Sequence, residues 1–185
     1  MEITRNLLTR NPFSRPGTYL NSVNGIVIHW VANPGTSAAQ NRAYFESLKN
    51  QTAAQPARYA SAHFIVGIQG EVLQCIPVTE RAWHTGAKNY NPKALAALAA
   101  PPNYCTLGIE LCHPDSTGRF TEQTRKTAAE LCAVLCMQHN LTPKKHLYRH
   151  YDITGKNCPK YFVEHEDEWQ AFLQEVEENI QTQKQ

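Results

Sequence analysis

Several features are missing from this sequence, and each absence removes a class of function. No run of apolar residues approaches the roughly 20 that a membrane-spanning helix needs. Met1-Glu2-Ile3-Thr4-Arg5 leads straight into polar, proline-containing sequence, without the apolar centre of a secretory signal. Lysine and arginine form no cluster and no RNA-type aromatic motif is present, so nucleic acid is not the expected partner. The six cysteines, Cys75, Cys105, Cys112, Cys132, Cys136 and Cys158, follow no regular spacing. Without an export signal, a disulfide framework is not expected of them. Internal repeats and low-complexity tracts are also lacking. The expectation is a protein made in the cytosol, a monomer with no membrane association and no classical export route.

What is present describes an ordinary globular chain. Its 185 residues are 42% hydrophobic and 18% charged, enough for one domain with a real core. Lys and Arg exceed Asp and Glu by 18 to 16, and this mild positive bias is compatible with an anionic polymer as partner. Val23 to Val31 is nearly continuous and β-branched, which predicts a buried strand. Thr36 or Ser37 then caps a helix through Tyr44, Phe45 and Leu48. Gln51 to Tyr59 reads as a loop. Ser61–Ile68 and Glu71–Ile76, joined at Gln69-Gly70, predict a hairpin. Pro77 to Asn91 reads as surface loop, Pro92 to Ala100 as a short helix, and Thr106 to Leu111 as a second buried strand. Thr121 caps a helix to His139, with Ala128, Leu131, Cys132 and Leu135 at helical spacing. His146 to His150 is a short extended piece, and Trp169, Phe172, Leu173, Val176 and Ile180 mark a last amphipathic helix. Strands and helices mix without regular alternation, so the predicted class is α/β (mixed), a central mixed sheet flanked by helices. Residues 1–180 form one domain and 181–185 a polar, frayed tail; a second domain after it is not seen, as in a complete single-domain enzyme or a chain that stops at a linker.

The most informative stretch is His150-Tyr151-Asp152-Ile153-Thr154-Gly155-Lys156-Asn157-Cys158-Pro159. It offers an imidazole and a thiol as metal ligands, with a lysine two residues before the thiol. Ile26-Val27-Ile28-His29-Trp30 supplies a second imidazole from a buried strand. Two histidines and a cysteine leave a fourth position open, a donor set suited to catalytic zinc, since structural zinc sites usually close all four. Glu110 ends a hydrophobic strand, where a carboxylate is costly to bury without a task or a partner.

Five blocks appear in order: Ile26-Val27-Ile28-His29, Ser61-Ala62-His63-Phe64-Ile65-Val66, Arg81-Ala82-Trp83-His84-Thr85-Gly86, Leu107-Gly108-Ile109-Glu110-Leu111, and His150 to Pro159. Together they resemble the zinc-dependent N-acetylmuramoyl-L-alanine amidases of the type 2 amidase and peptidoglycan-recognition-protein superfamily, over about residues 20 to 175. The resemblance implies zinc held by His29, His150 and Cys158, with Cys158 as thiolate. It implies Glu110 as general base and Lys156 as a stabiliser of the developing oxyanion. Some members place a tyrosine on the hairpin as base, but the matching position here is Ala62. His84, His63, Trp83 and Asn33 would contact substrate, with His63 alternatively orienting the site from behind. The remaining histidines (His113, His139, His146 and His165) carry no motif, and Trp30 and Trp169 read as core aromatics.

The implied reaction is hydrolysis of the amide between N-acetylmuramic acid and L-alanine in peptidoglycan, by an endolysin- or autolysin-like enzyme of phage or prophage type acting on the wall after release. Two alternatives remain at this level. A cytosolic amidase of soluble muropeptides shares the same blocks. A non-catalytic peptidoglycan-binding module would typically have lost a metal ligand, and Cys158 is retained here with both histidines.

Overall fold

A computed structural model describes residues 1–52 and 57–184. Among them are six strands: β1 (Ile3–Arg5), β2 (Gly25–Trp30), β3 (Phe64–Val66), β4 (Val72–Gln74), β5 (Thr106–Leu111) and β6 (Leu147–Arg149). The α-helices among them are α1 (Ala38–Ser47), α2 (Pro92–Leu98), α3 (Glu122–His139), α4 (Pro143–His146), α5 (His150–Thr154), α6 (Lys160–Glu164) and α7 (Glu166–Gln183). One sheet contains all six strands in the order β1-β4-β3-β5-β2-β6. Only the β3–β4 hairpin is antiparallel; the other four pairings are parallel. The predicted mixed sheet with flanking helices is therefore the observed architecture.

Side chains of a strand alternate between the two faces of a sheet. On one face Ile26 and Ile28 of β2 and Leu107, Ile109 and Leu111 of β5 pack against α3 and α7. The helices contribute Ala128, Leu131, Cys132 and Leu135, and Trp169, Phe172, Leu173, Val176 and Ile180, all buried. On the other face two smaller clusters cover the ends of the sheet. Ala38 and Phe45 of α1 pack on Ile65, Cys75 and Ile76 at one end. At the other, Ala94 and Leu98 of α2 meet Val27 and Ile153. Between them, over the middle of β2 and β5, only the start of α5 reaches in among the described residues, with His150 against His29. That gap holds the site.

Several expected ends are seen at the predicted residues. Ser37 caps α1 by accepting from the Gln40 N–H at 3.2 Å, and Gln40 reaches back in a capping box. Thr121 caps α3 by accepting from Thr124 at 3.0 Å. Three features differ. The polar Ile3-Thr4-Arg5 segment is a strand, added parallel to β4 at the sheet edge. His150 is the first residue of α5 and does not belong to the extended piece, which ends at Arg149. Helix α7 continues through Gln183, so most of the expected frayed tail is helical. Of the Gln51–Tyr59 loop, residues 53–56 lie outside the described residues. All six cysteines are buried thiols, and no helix among the described residues is long and apolar enough to cross a membrane.

Candidate functional site

The parallel register of β2 and β5 sets His29 directly beside Glu110, on the face that α3 and α7 do not cover. The third contributor comes from the far side of β2. Strand β6 ends at Arg149, whose backbone N–H donates to the Asp152 carboxylate at 2.8 Å, starting α5 with His150 as its first residue. The Arg149 guanidinium also binds Asp152 and the Phe162 carbonyl, at 2.9 and 3.0 Å. This clasp fixes the ring of His150 against β2. The chain then returns through Gly155, at φ +78°, which lets the 156–158 segment fold back and bring in Cys158.

His29, His150 and Cys158 converge, with one ligand atom from each within 4.8 Å of the other two. His29 Nδ1 lies 3.2 Å from His150 Nδ1 and 3.8 Å from Cys158 Sγ. Tetrahedral zinc, with Zn–N near 2.05 Å and Zn–S near 2.3 Å, would separate such pairs by about 3.3 and about 3.6 Å. The donors therefore stand at nearly the spacing a bound zinc would require. All three are buried, and His150 Nε2 and Glu110 Oε2 are buried polar atoms without a partner. These residues could hold a metal ion.

Behind His29 runs a chain of hydrogen bonds that fixes its tautomer. The Thr106 carbonyl can only accept, so His84 Nε2, at 3.3 Å, carries the proton between them. His84 Nδ1 is then the acceptor, and His29 Nε2–H donates to it at 3.0 Å. That leaves the lone pair of His29 on Nδ1, the nitrogen that faces His150 and Cys158. A ligating histidine usually donates its other N–H in this way, which orients the ring. Asn103 Oδ1 anchors the segment by accepting from the backbone of His84 and Thr85.

Burial sets the protonation of the cluster. It pushes the His29 and His84 rings well below the ordinary imidazole value, so both are neutral. It lowers His150 to about 4, with Lys156 acting in the same direction. The Glu110 carboxyl is pushed up to about 8 by burial, against the pull of the Lys156 ammonium. Cys158 is pushed up to about 12, by burial first and then by the charge of Glu110. A dication among these donors reverses that balance and favours thiolate, as coordinated thiols show.

The cleft over this cluster has a volume of about 210 Å³, with His29, Glu110 and Cys158 at its floor, Trp30, Tyr59 and Trp83 among its walls and the exposed Lys156 at its rim. A larger groove of about 1050 Å³ runs between α4 and α7, but it is lined by side chains such as Lys144, Glu177 and Gln181 and is remote from the donor cluster.

Not every residue singled out from the sequence faces this cleft. Glu110, Lys156, Trp83 and His84 do, but the ring nitrogens of His84 are spent on His29 and Thr106, not offered to a substrate. His63 lies behind, fully buried: its Nδ1 accepts from Gly108 N–H and its Nε2 donates to the Glu80 carbonyl, both at 2.9 Å. Contact between His63 and substrate is ruled out by that packing. Asn33 sits in an exposed turn outside the cleft lining, its carbonyl accepting from Thr36 Oγ1. Ala62 is buried in the core. Trp30, expected in the core, is half-buried, stacks on His113 at 4.7 Å and forms part of the cleft wall. Sequence reasoning passed over Thr106 and Asn103, which meet His84 from some 20 residues away, and Arg149, which joins the nearby Asp152 to the Phe162 carbonyl. It also passed over Gly108, although a glycine inside a strand often marks a close approach.

Comparison with known proteins agrees with this geometry. The family model described as N-acetylmuramoyl-L-alanine amidase matches residues 19–161. A probable N-acetylmuramoyl-L-alanine amidase of Bacillus licheniformis is 37% identical over 177 residues, covering 96% of this chain and 48% of that protein. The N-acetylmuramoyl-L-alanine amidase BlyA of Bacillus subtilis is 32% identical over 179 residues, covering 94% and 46%. The chain thus spans about half the length of the curated relatives it matches. Among solved structures, a mutant endolysin from Bacillus subtilis superposes with a TM-score of 0.72 at 25% identity, covering 95% of this chain and 99% of that one. On the family match and these identities, the chain belongs to the N-acetylmuramoyl-L-alanine amidase family.

Proposed function

We propose that this domain hydrolyses the amide bond between N-acetylmuramic acid and the L-alanine of the stem peptide in bacterial peptidoglycan, using zinc. The observation that carries the reading is the convergence of His29, His150 and Cys158 beside the half-buried Glu110, whose carboxyl Oε2 is enclosed without a partner, in one cleft.

His29, His150 and Cys158, which line the cleft, would hold the metal, a three-donor set of the kind found in catalytic zinc sites. Zinc, when bound, supplies Lewis acidity at the scissile carbonyl and makes water ionisable near neutral pH. Glu110 accepts a proton from the attacking water and returns it to the leaving amine. Burial raises the Glu110 carboxyl in the metal-free site, and the positive charge of a bound metal would draw it back toward the ionised form that accepts a proton. Lys156, exposed at the rim yet near enough to act on Glu110 and His150, faces the charge that develops on the carbonyl oxygen. His84 keeps His29 in the tautomer that presents Nδ1. The endolysin likeness supports a wall-lytic enzyme; a monomer that reaches the wall after release, in the manner of phage and prophage lysins, is the form proposed for it.

The test is mass spectrometry of products from zinc-loaded protein incubated with intact peptidoglycan and, separately, with soluble muropeptide. Stem peptides with a free L-alanine amino terminus, released from the intact wall, are the expected result. Release from the soluble fragment alone would replace the lytic reading with a recycling one, and binding without cleavage would overturn both. Glu110→Gln should keep its zinc and lose about 10²- to 10⁴-fold in turnover; near-normal kinetics would place the base elsewhere.

A further inference from the structure

We propose that Arg81 forms a carboxylate-reading subsite beside the cleft, selecting muramyl peptides with a free carboxylate one or two residues beyond the scissile amide. The proposal rests on the amidase reading and names the part of the substrate that the reading leaves open.

Arg81 is unlike the other partly buried arginines. Arg15 is paired with Glu80 at 2.8 Å, Arg42 with Glu46 at 3.0 Å and Arg149 with Asp152 at 2.9 Å. Arg81 has no ion pair among the described residues, and its Nε is buried without a partner. Its guanidinium is instead clamped between two rings, 4.4 Å from the centroid of Trp83 and 4.2 Å from that of Tyr104. Stacking of this kind holds the cation by its faces; Nε is enclosed, and the two Nη groups, which have no hydrogen-bond partner among the described residues, are left for a ligand.

The clamp is rigid. The Arg81 backbone N–H donates to the Thr18 carbonyl at 2.8 Å. Trp83 is pinned at both ends, its backbone N–H to Ser61 Oγ and its indole N–H to the Pro12 carbonyl, each at 2.9 Å. A guanidinium fork fixed before binding recognises planar carboxylates in two-point fashion and loses little side-chain freedom when it does so.

Trp83 is shared between the clamp and the cleft wall, so the two adjoin. Arg81 precedes His84 by three residues, which limits their Cα separation to about 11 Å even in fully extended chain. An extended peptide substrate advances about 3.3–3.6 Å per residue, so carboxylates on its second and third residues lie roughly 7–11 Å from the scissile amide. The glycan side of such a substrate is uncharged and gives a guanidinium nothing to pair with. The peptide side carries the carboxylates.

The experiment compares hydrolysis, by the zinc-loaded protein, of two soluble muramyl peptides. They are identical except that the carboxylates on the second and third residues are free in one and amidated in the other. The wild type should prefer the free acid by about 10- to 100-fold in kcat/KM, expressed mainly in KM, as for a charge-assisted hydrogen-bonded contact. Arg81→Gln should collapse that ratio toward unity. Arg81→Lys, which keeps the charge and loses the planar fork, should fall between them. Zinc stoichiometry and melting temperature of both variants separate a lost contact from a lost fold, and the wild-type comparison needs no variant at all. Equal rates on the two peptides, or a preference that survives Arg81→Gln, would overturn the subsite while leaving the amidase reading intact. If neither soluble peptide is cleaved, the same comparison on intact peptidoglycan with free or amidated stem carboxylates decides the subsite, and failure on the wall as well would overturn the amidase reading and the subsite with it.

Discussion

Replacing Gly108 by alanine tests whether the site depends on the hydrogen bonds behind His29. Gly108 lies in the middle of β5, facing the site side of the sheet, and a Cβ there would stand 2.6 Å from His84 Cγ and 2.7 Å from its Nδ1. Ordinary contact begins near 3.4 Å, so the ring must retreat by about 0.8 Å. It has no room to do so and keep its partners, because the 3.0 Å bond to His29 and the 3.3 Å bond to the Thr106 carbonyl hold it in place. Two buried hydrogen bonds contribute about 1 kcal/mol each, and overpacking costs about 1–3 kcal/mol. The expected destabilisation is therefore about 3–5 kcal/mol, which in a domain of this size lowers Tm by about 10 °C.

The effect on the metal is separable from the effect on the fold. Loss of a partner that orients a ligating histidine typically weakens metal binding by about 10- to 100-fold. Thermal melting of the metal-free variant reads the first effect, and competition with a chelator of known zinc affinity reads the second. Gly86→Ala is the control. Gly86 also borders the cleft, but a Cβ there would meet nothing within 4 Å, so its stability should change by no more than about 0.5 kcal/mol. A Gly108→Ala protein that melts with the Gly86→Ala protein and binds zinc as the wild type does would refute the tautomer-fixing role of His84.

Other perturbations address separate parts of the structure. Burial lowers His63 from its ordinary value of 6.5 to about 4, so the unfolded chain takes up a proton before the folded one does. Its contribution to stability is thus complete above pH 6.5 and declines as pH falls toward 4, by about 3 kcal/mol at most. Urea unfolding of metal-free protein at pH 7, 5.5 and 4 should show that decline, and a flat profile would contradict it. Glu80 is nearly buried and accepts from Arg15 twice at 2.8 Å, an arrangement that holds its carboxyl below the ordinary range. Glu80→Ala leaves the Arg15 charge unpaired and should cost about 3 kcal/mol; a change under about 0.5 kcal/mol in urea would mean that the pair is idle. Cys158→Ser should reduce bound zinc after chelator competition, whereas wild-type stoichiometry would remove Cys158 from the ligand set.

The sequence alone made the elements around the site readable where one kind of interaction dominates. Strands β2 and β5 are flanked on one face by α3 and α7, and their dense aliphatic runs show it. Ser37 and Thr121 announce their helices because capping is local, settled within three residues. Strand β1 gave no such signal. Ile3-Thr4-Arg5 is exposed throughout and owes its conformation to β4, some 70 residues later. His150 reads as extended yet is helical, because the N-cap of α5 is Arg149, which lacks the short oxygen-bearing side chain that announces Ser37 and Thr121, although its clasp with Asp152 spans only three residues.

The same distinction separates the donor set from what supports it. Histidines and a cysteine are unusual enough that His29, His150 and Cys158 stand out as chemistry without a structure. Their partners do not, since Thr106 contributes a backbone carbonyl and Gly108 contributes only the absence of a side chain. Those roles exist because β5 runs parallel to β2 in a register that pairs His29 with Glu110 and Val27 with Gly108. In that register Glu110 stands beside His29 and the glycine opens space for His84. A slip of one residue would turn Glu110 and Gly108 to the face packed by α3 and α7. It would bury a carboxylate in the main core and bring Ile109 into the cleft. The aliphatic residues that flank Glu110 and Gly108 in β5 therefore hold the register of the site as firmly as they hold the fold.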